Sequence, residues 1–168
     1  MLGNQMKQLF LQTIFIYTLT MTLAFGQTVI IEGRTRVIDG DTIKIEKSRI
    51  RLHGIDAPEN KQLCKDKKLS YWLCGQAATK ALRNKINNRV VECLSDKKDR
   101  YKRHIAICSV DGINLNRWLV LNGWAVAYRK YSRDYIEAET AAKSIETGIW
   151  TGEFILPWEW RRGKRLKK

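Results

Sequence analysis

Histidine is scarce in this chain, two residues in 168, and none of the four cysteines belongs to a Cys-x-x-Cys pair. Both shortages argue against a zinc-stapled domain, which draws its ligands from closely spaced cysteines and histidines. The Asp-x-Asp-x-Asp-Gly ladder of an EF-hand is missing as well. Acid is in short supply: 17 Asp and Glu stand against 31 Lys and Arg, a net charge of +14. Such a balance turns the search for partners toward anions, with nucleic acid or an acidic membrane surface ahead of other classes. No internal repeat and no linker divides the sequence. With 44% hydrophobic and 29% charged residues, the chain reads as one globular domain large enough to bury a core.

Charge is also absent from residues 8–25, "QLFLQTIFIYTLTMTLAF", with Lys7 as the only cation before them. Ala24 and Gly26 have the small-residue spacing of a signal-peptidase site ahead of Gln27. Gln12 and four threonines dilute the run, which favours a cleaved signal peptide, residues 1–26, over a retained anchor. The expected location is therefore secreted or periplasmic. In an oxidising compartment Cys64, Cys74, Cys93 and Cys108 are expected to form two disulfides rather than four free thiols. The chain pattern favours Cys64–Cys74, closing a loop, and Cys93–Cys108, placed across a hairpin at similar distances from its turn.

Three β-branched runs, 28–38, 42–47 and 49–55, are separated by tight turns and predict a meander. A helix follows "CG", with Ala77, Ala78, Ala81, Leu82 and Ile86 on one stripe and Asn87-Asn88 at its end. "RVVECL" and "RHIAICSV" flank the polar turn "SDKKDRYK" as a hairpin. "GINLNRWLVLNG" reads as a short helix stopped at Asn122-Gly123, and "WAVAY" (124–128) as a short strand. A last helix is expected from near Arg133, burying Tyr135, Ala138, Ala142 and Ile145. Trp118 and Trp150 are assigned to the core; Tyr101, Trp124 and Tyr128 suit either core or base-stacking surface. Mainly β with helices, this pattern suits a five-stranded Greek-key barrel of OB type with three α-helices, over residues 27–160. A basic tail, 161–168, "RRGKRLKK", follows.

Against that positive background the acids are placed with purpose. "IDGDT" sets Asp39 and Asp41 around a glycine turn, and "RIRLHGIDAPE" ends a strand with Asp56 and Glu59 around a proline. Loop carboxylates are hard oxygen donors of the kind Ca²⁺ or Mg²⁺ prefers, and the meander can bring Asp41 and Asp56 together. Arg51, on the non-core face of the strand between them, can fork onto a phosphate oxygen. Glu59 is free to take a proton from attacking water, and Arg103 in "DRYKR" adds a second cation. The set suits phosphodiester hydrolysis, in which charge stabilisation dominates. Each piece alone has a plainer reading: Asp-Gly is an ordinary turn signal, and His53 and His104 are expected to be structural.

"VIDGDTIKI", "RIRLHGIDAPE", "DRYKRHIAI" and "LNRWLVLNGWAVAY", in that order, resemble the thermonuclease (staphylococcal-nuclease-like) family from about Thr28 to Trp150. The resemblance implies an OB-type barrel with three helices and a Ca²⁺-dependent nuclease that hydrolyses DNA and RNA to leave 3′-phosphates. It implies metal ligation by Asp41, Asp56 and the backbone carbonyl at Ala57, with Asp39 just behind them. Glu59 matches the general base, and Arg51 and Arg103 the two phosphate-binding arginines. Arg100, Tyr101 and Tyr128 match positions that contact the terminal phosphate or base. Ala57 replaces the threonine of the best-known members, a change that a carbonyl ligand tolerates. The loop carrying Cys64 and Cys74 has no simple counterpart there. DNA or RNA is thus the expected partner, to a monomer with no stable protein partner and no membrane contact unless the N-terminal segment is retained. Two alternatives differ in class: a non-catalytic nucleic-acid-binding OB module, and a basic protein held at an acidic surface through "RRGKRLKK".

Overall fold

A computed structural model describes residues 28–167. The expected signal peptide and its cleavage point before Gln27 lie outside the described residues.

Strands β1 (Val29–Asp39), β2 (Thr42–Ile45) and β3 (Ser48–Leu52) form the meander, each paired antiparallel to the last. Strands β7 (Val90–Lys98) and β8 (His104–Val110) form the hairpin; β7 pairs antiparallel with β1, and β8 pairs parallel with β3. That last pairing closes β1, β2, β3, β7 and β8 into a five-stranded mixed barrel, with the short β9 (Ile113–Asn114) added beside β8. Closure removes sheet edges that would otherwise present unpaired backbone.

Alternation decides which way each side chain goes. Ile43, Ile45, Ile50 and Leu52 are buried in the barrel, and Arg49 and Arg51 of β3 take the other face. Helix α1 (Cys74–Ile86) lays Ala78, Leu82 and Ile86 on the core and ends at Asn87 in the left-handed conformation. Helix α2 (Leu115–Leu121) buries Leu115, Leu119 and Val120. Fully burying one such aliphatic side chain stabilises the fold by about 1.5–3 kcal/mol.

Both disulfides are present: Cys93 and Cys108 face each other directly across β7 and β8, and Cys64–Cys74 closes a ten-residue separation. The second of these loops contains the small pair β5 (Cys64–Lys65) and β6 (Tyr71–Trp72).

Several expected elements need adjusting. The third run is not one strand to residue 55, because the His53-Gly54 turn breaks it and Ile55–Asp56 (β4) pairs instead with β10 (Val126–Ala127). "WAVAY" contributes only those two strand residues. Helix α3 spans Ile136–Ser144 rather than starting near Arg133, and Ile145 is its exposed C-cap, not a core residue. Trp118 and Trp150 are only partly buried. A fourth helix, α4 (Pro157–Arg161), follows a 3₁₀ turn at Gly148–Thr151. A second apolar cluster seats it: Cys64, Cys74, Val126 and Ile149, ringed by Trp72, Trp150, Phe154, Leu156 and Trp158. The boundary drawn at residue 160 therefore cuts through α4. Among the described residues, no helix is long and apolar enough to cross a membrane.

Candidate active site

The turn between β1 and β2 approaches the end of β4 closely because residue 40 is glycine. A Cβ there would lie 2.7 Å from Ala57 Cβ and 3.1 Å from Ala78 Cβ, so a side chain would push the turn outward. Asp39 holds the turn from inside by accepting the Asp41 N–H at 3.1 Å. Asp41 in turn accepts the Ala57 N–H at 2.8 Å, tying the two acidic segments together.

Thr42 lies opposite Arg51 in the β2–β3 ladder, which sets Arg51 between Asp41 and Asp56. Its guanidinium pairs with Asp41 through Nη1 and with Asp56 Oδ1 through Nη2 at 2.6 Å. Both carboxylates are buried. Burial pushes the Asp41 carboxyl up to about 8, against the pull of Arg51 and the Ala57 N–H, and the charges of Asp39 and Asp56 add to the rise. Burial also works against the Arg51 charge, but the two aspartates outweigh it and hold the guanidinium above its ordinary value. The cluster is short of positive charge, and hard oxygens short of charge suit a divalent cation. Among the described residues, no three His, Cys, Asp or Glu side chains converge as a ready cage. Asp41 and Asp56 would therefore hold such an ion together with backbone oxygen and water.

Glu59 sits just past Pro58, its backbone fixed on two sides. Its N–H donates to the buried amide oxygen of Gln62 at 3.1 Å. Its carbonyl rests against Gly75 so closely that a Cβ there would come within 1.8 Å of the oxygen. The Glu59 side chain is left half-exposed beside Asp56, as a base that must reach water requires.

The remaining expected residues are brought less close. Arg103 forks onto Asp99 at 2.8 Å within its own turn, and it contacts neither Asp41, Asp56 nor Glu59. Ile105 lies opposite Arg51 in the parallel pairing, so alternation places Arg103 on the same sheet face as Arg51. Arg100 donates to the Tyr101 hydroxyl at 2.7 Å, and Tyr101 is exposed, with both Arg100 and Arg103 over its ring. Tyr128 stacks on Trp158 of α4, with ring centroids 5.0 Å apart, and borders a cavity of about 400 Å³ with Arg129, Lys130 and Arg162. That aromatic and cationic groove lies beside the carboxylates rather than on them. His53 is held below its ordinary value by burial and Lys97, and neither histidine joins the acidic cluster.

Two residues were not singled out from the sequence. Gln62, a buried amide in a loop, has no pattern to betray it. Arg161 forks onto both oxygens of Asp56 at 3.0 and 2.7 Å and reaches Glu59 Oε1 at 2.6 Å. No pattern in the sequence marks it; it ends the short α4, three residues after Trp158.

A family model described as "Staphylococcal nuclease homologue" matches residues 49–152. The chain is 37% identical over 138 residues to the succinoglycan biosynthesis protein ExoI of Rhizobium meliloti (strain 1021), covering 80% of this chain and 72% of that one. It is 34% identical over 143 residues to an uncharacterized endonuclease of Escherichia coli O157:H7, covering 80% of this chain and 87% of the relative. A probable staphylococcal-like nuclease, CAN1, of Oryza sativa subsp. japonica is 31% identical over 75% of this chain and 36% of its own length.

Proposed function

Since the chain belongs to the staphylococcal nuclease family, we propose that it is an exported, Ca²⁺-dependent nuclease that hydrolyses DNA or RNA and leaves 3′-phosphates. The observation that carries this reading is the convergence of Asp41, Arg51, Asp56 and Glu59 at one end of the barrel. Asp41 and Asp56 would hold the ion, with the backbone at Ala57 beside them. Bound there, Ca²⁺ would polarise a phosphate oxygen and offset the charge that develops on it. Arg51, held between two buried carboxylates, turns toward the same phosphate the N–H groups that Asp41 and Asp56 leave free, and needs little reorganisation as charge grows. Glu59 takes the proton of the attacking water. Arg103, on the Arg51 face of the sheet, is the second phosphate cation. Tyr128 and Tyr101 offer ring faces to the flanking base.

The test is cleavage of end-labelled single-stranded DNA and RNA by the mature protein with Ca²⁺ and with excess chelator, followed by end-group analysis. Cleavage only with Ca²⁺, leaving 3′-phosphates, is expected. Glu59→Gln should lower kcat by about 10²–10⁴-fold, and Arg51→Lys by roughly 10²-fold or more, with smaller effects on KM. Full activity in chelator overturns the metal assignment, and binding without cleavage overturns the enzyme. Export is checked by the mass of the secreted protein, expected to begin at Gln27.

A further inference from the structure

Glu153 to Arg161 run as a strap from the 3₁₀ turn back to the acidic cluster, and the strap is fastened at three points. Lys65, next to disulfide-bonded Cys64, exchanges backbone hydrogen bonds with Glu153 at 2.8 and 3.1 Å. The buried Gln62 donates its amide to the Ile155 carbonyl at 2.6 Å while its oxygen holds the Glu59 N–H. Trp158 lies flat on Tyr128, the two rings within 4° of parallel. Arg161 follows Trp158 by three residues and so comes off the same side of α4. Its position is set by folded structure rather than by a loose tail.

The contacts it makes there are unusual for a basic terminus. Arg161 engages both oxygens of Asp56, and Arg51 engages Oδ1 as well, so each oxygen of that carboxylate already has a guanidinium partner. Three of its roughly four lone-pair sites are taken, and Asp56 is fully buried, so a divalent cation that takes Asp56 competes with one of the two guanidiniums for charge and room. Arg51 also holds Asp41 and is the more buried of the two, with 17% of its side chain exposed against 37% for Arg161. Arg161 is therefore the one that moves. A guanidinium stays charged in a protein, so on leaving Asp56 it needs another anion, and the anion that enters this site is the substrate backbone.

We propose that Arg161 is a third phosphate-binding arginine of the site, delivered by the C-terminal strap and resting on Asp56 and Glu59 until cation and substrate arrive. The identity of the anion rests on the nuclease reading; the competition for Asp56 does not. Two measurable consequences have opposite signs. Removing the arginine frees Asp56 for the cation, and it takes a ligand from the phosphate.

Ca²⁺ is titrated calorimetrically into the full mature protein without nucleic acid, for the parent, Arg161→Gln, Arg161→Lys and the control Arg165→Gln. Arg161→Gln should bind Ca²⁺ roughly tenfold more tightly, Arg161→Lys should fall between it and the parent, and Arg165→Gln should match the parent. In steady-state cleavage of a single-stranded DNA, Arg161→Gln should raise KM by roughly tenfold with a smaller change in kcat. Circular dichroism melts of the variants confirm that they are folded. Unchanged or weaker Ca²⁺ binding in folded Arg161→Gln overturns the proposal, as does an unchanged KM. If the parent cleaves nothing, the nuclease reading falls on its own. The same DNA is then titrated in Ca²⁺, and binding that Arg161→Gln does not weaken overturns the phosphate role.

Discussion

Replacing Arg51 with glutamine should damage the fold before any question of catalysis arises. The guanidinium makes two charge-assisted contacts to buried carboxylates, each worth about 1.5–3 kcal/mol in ordinary cases. They are not lost equally. Asp56 keeps both contacts to Arg161, whereas Asp41 retains only the Ala57 N–H and the Thr42 hydroxyl. The glutamine amide recovers part of one contact, so the expected cost at neutral pH is about 2 kcal/mol, well short of the sum. The dependence on pH has a definite sign. Asp41 already stands at about 8 with Arg51 pulling it down, and without Arg51 it goes higher still. Its folded value then lies further above the ordinary 3.8, so the folded state holds the proton more tightly than the unfolded chain. The stability this supplies is complete below the unfolded value and is lost as pH rises through the folded one. The deficit of Arg51→Gln should therefore be larger near about pH 9 than near about pH 6, and saturating Ca²⁺ should reduce it at the higher pH. Urea denaturation followed by tryptophan fluorescence, at both pH values and with Ca²⁺ or chelator, measures each arm. Equal urea midpoints for parent and variant in chelator at the higher pH would refute the picture of Arg51 as the counter-charge of Asp41.

Gly40→Ala should cost about 1–3 kcal/mol and weaken Ca²⁺ binding, because the new methyl forces the Asp41 turn away from Ala57; unaltered calorimetric affinity would contradict this. Unreduced mature protein should weigh four hydrogens less than the reduced form. Replacing Cys64 and Cys74 by serine should loosen the strap more than the barrel, seen as faster amide exchange at 153–161 than in β7 and β8.

The barrel was legible because its strands alternate. Ile43, Ile45, Ile50 and Leu52 mark the buried face at period two, and the turns between them carry the residues that tight turns require. The same regularity exposed the acids, since Asp41 stands just before β2 and Asp56 just beyond β3, the strand paired with it. What failed was local. Ile145 continued a helical stripe on paper, but the chain leaves the helix at Ser144 and carries that side chain into solvent. The 49–55 run broke at the His53-Gly54 turn, and the two residues beyond it found a partner 70 positions away in Val126.

Arg161 was invisible for a more general reason. It lies 102 residues from Glu59 and 105 from Asp56, in a stretch whose composition alone describes a solvated basic tail. Periodicity reports which face of an element is buried, yet α4 is too short to have a measurable face. Nor does periodicity say where a helix docks; here that is settled by Trp72, Trp150, Phe154, Leu156 and Trp158 closing around the Cys64–Cys74 bridge. Of these side chains the sequence pattern marks only Trp150 as core, and nothing in the spacing joins the five into one cluster. Once they assemble, the strap has one place to lie, and the arginine at its end meets the carboxylates. The acids are therefore readable from the strands that carry them, but the cation that answers them from the far end of the chain becomes readable only through the packing that brings it there.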